Sequence, residues 1–181
     1  MPDLPLPAGA QAAILDLPED ERPTVSEIML AGMAEMLRLA GVVSFTWYGE
    51  PYADPPASPL IPALYLVELQ PEPERVVALT DYPLEAMPGL SDSLVGVQCR
   101  IRVGREPAPA MRIRDRIKDV WHGAGPFYCD LSWLDSEPSF AIAQIGWQSA
   151  APIGPDSQGR YERSENYYVN INRHSVATDT D

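Results

Sequence analysis

Basic residues are scarce in this chain. Lys and Arg total 13 against 26 Asp and Glu, a net charge of −13 over 181 residues. A protein this acidic does not coat itself with nucleic acid, because phosphate contacts need an excess of Lys and Arg. Cysteine is scarcer still. Cys99 and Cys129 are the only two, which excludes a disulfide-dense secreted scaffold and a Cys-rich zinc site. A single disulfide stays open, with reduced thiols the simpler expectation. No apolar run approaches the ~20 residues of a membrane helix. The opening Met1-Pro-Asp-Leu-Pro5 has neither a basic n-region nor an apolar h-region, so no secretory signal is expected. Histidine is limited to His122 and His174. Neither HExxH, CxxC, a nucleophile elbow nor an EF-hand loop is present. Gly123-Ala-Gly125 runs into Pro126 rather than a helix, so it is not a phosphate loop. Asp130, Asp135 and Glu137 are scattered through a loop without metal-ligand spacing. No catalytic residue, metal or cofactor is expected.

Proline, by contrast, is abundant, with 20 residues, most of them clustered at 2–23, 51–62, 71–88 and 107–109. Proline blocks helix and ladder bonding alike and stiffens loops. The length suits one domain with a real core. Residues 1–23 read as an extended acidic, Pro-rich arm that orders on a partner, or as a disordered leader. Residues 24–173 form the domain and 174–181 a polar tail.

Within the domain, Thr24 with Glu27 fits a capping box, and apolar residues from Val25 to Ala40 recur at helical spacing. Gly41 supplies the stop. Val42–Tyr48 reads as a strand, and the Pro-rich 49–62 segment as a stiff loop. Residues 63–69 suggest a short edge strand and 75–80 another strand, with Asp81-Tyr-Pro83 a turn. From Leu94 to Val103, apolar and polar residues alternate strictly, so one strand face is buried. Cys99 falls on that apolar face. Pro107–Trp121 is a second amphipathic helix, ended by Gly123, with His122 suited to its C-terminal dipole. Strands at 140–147 and 160–172, joined by the Gly/Pro turn 150–159, should form an antiparallel hairpin. Tyr167 and Tyr168 alternate, so one is core and the other faces outward. The resulting class is α+β, a mostly antiparallel sheet with two helices packed on one face. The other sheet face is expected to be polar and open.

Charge is unevenly spread. Residues 1–92 hold 15 acids and 3 bases, whereas residues 93–181 hold 11 acids and 10 bases. Seven bases lie between Arg100 and Lys118. Complementary patches of this kind orient association between copies. Arg100, Arg102, Arg112, Arg114, Arg116 and Lys118 are therefore the expected subunit or partner interface, together with Arg160 and Arg163 near the last turn. The plainer alternative is a solvated helix face and strand face.

The run Gly154-Pro-Asp-Ser-Gln-Gly-Arg160, leading into Arg163-Ser-Glu-Asn-Tyr-Tyr-Val169, resembles the C-terminal strand of siphophage tail terminators and phage minor capsid proteins. Gly96–Val103 followed by the helix 110–121 resembles that family's middle strand and second helix. The resemblance implies a non-enzymatic virion subunit, assembled in the host cytoplasm, that closes into a ring, usually a hexamer. Such a ring sits at the head–tail junction, caps the tail tube and stops its polymerisation. It implies the tail tube protein and a head-completion or connector protein as partners, DNA only in passage through the lumen, and no membrane. Other readings are another neck or minor capsid component, a small ligand-binding α+β domain, and an adaptor that docks through Pro55-Pro-Ala-Ser-Pro59.

Overall fold

The computed structural model describes residues 1–47, 61–86, 92–134 and 139–173. Tyr48, the Pro-rich stretch through Pro59, Asp135, Glu137, His174 and the polar tail lie outside the described residues.

The N-terminal segment holds a short helix α1 (Ala10–Leu15) and a 3-10 turn (Glu19–Glu21). Helix α2 (Val25–Leu39) begins with the capping box read from sequence. The Glu27 N–H donates to Thr24 Oγ1 at 3.3 Å, and the Thr24 N–H donates to Glu27 Oε2 at 2.7 Å. Two helix-end donors are satisfied reciprocally. Thr24→Ala should therefore cost about 1 kcal/mol. The check is a lower urea midpoint with an unchanged slope.

The sheet has six strands: β1 (Ala63–Leu66), β2 (Val76–Ala86), β3 (Asp92–Arg102), β4 (Phe127–Cys129), β5 (Phe140–Pro155) and β6 (Tyr161–Arg173). Helix α3 (Ala108–Trp121) lies between β3 and β4 in the chain. The spatial order is β1-β2-β3-β6-β5-β4, antiparallel throughout except for β1 with β2. This is the α+β architecture expected from the alternation and the helix stripes. Val97, Cys99, Ile101 and Val103 are all fully buried, as the β3 pattern requires. Tyr167 is buried and Tyr168 half-buried, as their alternation demands. Helices α2 and α3 share one hydrophobic core with these residues.

Several expectations give way to tertiary context. Residues 1–23 are docked on their own domain. The Leu4 N–H donates to the Tyr128 carbonyl at 2.7 Å, and the Tyr128 N–H to the Pro2 carbonyl at 2.9 Å, so the segment lies against β4. Leu4 and Ile14 are buried. Gly32 makes this possible, because a Cβ there would meet Leu4 Cδ2 at 2.5 Å. Helix α2 is thereby covered on a second side, which explains its run of buried residues from Ile28 to Glu35.

Residues 42–47 form no extended ladder, only a bridge from Ser44 to Ala63. Asp81-Tyr-Pro83 is not a turn but part of β2, with Pro83 opposite Val95 and a register shift just beyond. Likewise β5 runs on through residues 150–155, and the turn is confined to residues 156–160. Three register shifts punctuate β5, and the last, between Pro152 and Gly154, lies in that extension. Bulges and sheet edges are where Pro and Gly are tolerated in strands, because no inner ladder bond is lost there.

Candidate functional site

The turn that carries the resemblance is built by Asp156. Its Oδ1 accepts the N–H groups of Gln158 and Arg160, each at 2.9 Å, and its Oδ2 accepts Arg160 Nε at 2.7 Å. Burial works against its charge, but the Arg160 and Gln158 donors prevail and hold the carboxyl below its ordinary value. Gly159 takes the left-handed conformation, φ 75°, that the turn requires. Arg160 also donates to the Pro71 carbonyl at 2.7 Å. The Asp, Gly and Arg of this motif thus close a hairpin.

Arg102 does a related job on the sheet face away from the helices. It is buried, and its Nη2 donates to the carbonyls of Gln70, Pro71 (3.0 Å) and Pro73 (3.2 Å). Desolvation, reinforced by the nearby Arg160, lowers its pKa, while Glu162, Asp156 and Glu72 oppose the shift. Residues 70–73 are drawn over this end of the face, and farther along it Gln98, Asn166 and Tyr168 are half-buried. There Tyr82 lies across Gly96, where a Cβ would sit 2.3 Å from its ring.

The remaining interface candidates have varied placements. Arg100 pairs with Glu162 at 2.7 Å. Arg114 Nε donates to its neighbour Asp115 at 2.8 Å. Lys118 Nζ stands 4.1 Å from the centre of the Trp147 ring, a cation–π contact. Arg163 is buried on the helix side, donating to Glu165 at 2.7 Å through Nε and touching Met111. Arg116 donates to the Gly41 carbonyl at 2.6 Å, where α2 ends. Arg112 makes no ion pair among the described residues. Arg112 and Arg116 line one pocket of about 170 Å³ with Arg75, Pro109 and Ile113. The eight residues therefore do not form one patch. The pocket gathers two of them and adds Arg75, which local charge density on β3 and α3 did not single out.

A larger groove of about 520 Å³ runs between residues 3–12 and the end of β4. Its charged lining is Asp3 and Asp130. Burial, aided by Asp130 and Asp3, pushes the Cys129 thiol up to about 12. Burial raises Cys99 likewise. Both cysteines are free, and as protonated thiols at neutral pH they are poor nucleophiles. The His122 Nδ1 accepts the Trp147 backbone N–H at 3.1 Å, tying the end of α3 to β5. No group of three or more metal-ligating side chains occurs among the described residues.

The chain matches no family model and no curated protein. Among solved structures, a chain of the "Virion of native gene transfer agent (GTA) particle" is similar, with a TM-score of 0.45 and 11% identity. The match covers 90% of this chain and 94% of that one.

The sheet's free margin completes the site. Beyond Trp147, β5 pairs with β6 on one side, and among the described residues no strand pairs with its other side. Residues 148–153 are exposed, with Ile153 at 52% of its full accessibility. Pro152 and Pro155 remove donors from this margin. Such prolines blunt indiscriminate strand pairing and leave a contact decided by side chains.

Proposed function

We propose that this protein is a structural subunit of a phage-type particle, a tail terminator. It closes into a ring at the head–tail junction, caps the tail tube and stops its polymerisation. The observation that carries the reading is the outer edge of β5. An edge of this length and apolar content (Ala150, Ala151, Pro152, Ile153) is a surface that assembly covers. The resemblance of residues 96–121 and 154–171 to siphophage tail terminators supports the same role. Ring subunits need heterologous contacts, one surface on a different surface of the next copy. A hairpin margin on one side and a charged helix face on another satisfy that need. The net charge of −13 suits a lumen that passes DNA, because like charge repels phosphate. The role needs no catalytic group and no cofactor, and its partners are the tail tube and a head-completion protein.

The test is electron microscopy of particles whose gene for this chain is disrupted. Overlong or unjoined tails beside normally filled heads are expected. Tails of normal length, normally joined, would overturn the terminator role. Normal-length tails that fail to join heads would instead assign the chain to another neck component.

A further inference from the structure

The loop at residues 67–73, between β1 and β2, begins on a strained residue. Val67 takes φ 72°, in the left-handed region that is most unfavourable for a β-branched side chain. The Glu68 N–H donates to the Leu66 carbonyl at 3.0 Å across it, so the chain reverses in a γ-turn of the rare, strained hand. Two bonds to β2 impose this conformation. The Val67 N–H donates to the Leu79 carbonyl at 2.7 Å, and the Val67 carbonyl accepts the Thr80 hydroxyl at 2.8 Å. The side chain gains little burial in return, for it is 55% exposed. The rest of the loop is fixed by arginine. Buried Arg102 donates to the carbonyls of Gln70, Pro71 and Pro73, and Arg160 donates to Pro71 as well. The Tyr65 hydroxyl reaches the Glu72 carbonyl at 3.4 Å. Burying a guanidinium is costly, and here it immobilises a surface loop. A strained, exposed tip on a rigid loop is what a preorganised contact needs, because the ordering is completed on folding and not on binding.

We propose that residues 67–72 are a preformed docking loop, with Val67 as its apolar anchor, for a neighbouring protein subunit of the particle. The proposal rests on the assembly reading above and names a contact distinct from the β5 edge. Glu68, Pro71 and Glu72 of the same loop are exposed with Val67. The partner surface is therefore a small apolar socket bordered by Lys or Arg, the complement of an apolar tip among carboxylates. Nucleic acid and an anionic membrane surface carry the wrong charge for this loop. Arg102 and Arg160 are positioning residues, acting on the partner only through the carbonyls they hold.

The test supplies full-length variants to particles whose own gene for this chain is disrupted, and counts joined particles with tails of normal length. The purified variants are compared in urea. Val67→Gly removes both the side chain and the strain, so its urea midpoint should equal or exceed that of wild type. Its yield of joined particles should nevertheless fall at least about tenfold. Val67→Thr keeps the branched shape and makes the tip polar. It should hold the wild-type midpoint and lose yield as well. Val67→Ile should match wild type in both. Glu68→Lys with Glu72→Lys should lower the yield at an unchanged midpoint, because the loop then repels a basic rim. A Val67 of merely structural importance would change yield only together with stability. If Val67→Gly or Val67→Thr serves as well as wild type, or if yield falls only where the midpoint falls, the proposal fails while assembly through β5 stands. If the disrupted particles are normal with nothing supplied, the assembly reading fails and the proposal falls with it.

Discussion

Glu165→Ala is expected to destabilise the protein by about 3–5 kcal/mol, the cost of leaving a buried charge without its partner. Glu165 is fully buried on the helix side of β6. It holds Arg163, whose side chain is only 7% exposed, and it accepts Trp147 Nε1 at 2.8 Å. Removing the carboxylate strands the guanidinium under α3, with the Met111 sulfur as its remaining hydrogen-bond partner among the described residues. Trp147 loses its acceptor at the same time, and with it the fixed ring orientation that Lys118 uses. For a domain of this size each kcal/mol moves the melting temperature by about 2–4 °C, so a fall on the order of 10 °C is expected by calorimetry. The double variant Arg163→Met, Glu165→Leu should recover most of the loss, because an apolar pair of similar volume avoids the desolvation that the ion pair must offset. A fall below 1 kcal/mol for Glu165→Ala would show that water or a shifted rotamer satisfies Arg163. Full destabilisation in the double variant would show that the polar network, and not the stranded charge, is what matters.

Trp121→Ala should cost a similar amount, about 3–5 kcal/mol, by a different mechanism. Trp121 closes α3 and is fully buried. Its ring meets Tyr167 edge-on, with centroids 5.0 Å apart and planes at 89°. Its Nε1 donates to the Met33 carbonyl of α2 at 3.2 Å. One side chain thus joins α3, α2 and β6. Truncation leaves a cavity that three packed elements cannot collapse into, since each is held elsewhere. Trp121→Phe keeps an aromatic ring toward Tyr167 and loses the bond to Met33 together with part of the indole volume, so its cost should be smaller, about 1–3 kcal/mol. Urea denaturation of the two variants separates the terms. Equal losses in both would assign the effect to the hydrogen bond, and a much larger loss in the alanine variant to packing.

The fold was largely legible because its main signals are local. The capping box at Thr24, the stripes of α2 and α3, and the alternation along β3 each report one buried face without reference to any other part of the chain. The Tyr167–Tyr168 alternation held for the same reason. The same parity reaches back from Ile171, Val169 and Tyr167 to Glu165 and Arg163, and places both charges on the core side of β6. That reading was available from the sequence. It is easily overlooked, because charged residues near a turn look like surface residues.

Interface residues were harder to read than elements. A run of arginines reveals the charge it carries, not what each guanidinium reaches. Arg102 and Arg160 spend donors on carbonyls 29 to 89 positions away, partners that only chain crossings supply, whereas Arg163 pairs with Glu165 in its own strand. Arg75, just before β2, lines a pocket with Arg112 and Arg116 of α3, a juxtaposition no local pattern encodes.

Without revealing the short helix α1, the sequence alone determined the class of this protein, an acidic α+β chain, with its two longer helices, its central strand and its closing hairpin. Those follow from periodicity, which depends on neighbours three or four residues away at most in a helix and two in a strand. Tertiary structure alone decided the docking of residues 1–23 on β4, the passage of Pro83, Pro152 and Pro155 through strands, and the sorting of arginines into core, clamp and pocket. Each of these depends on which backbone groups and charges lie opposite one another across the fold. That is set by the order of strands and helices in space, not by the residues on either side in the chain.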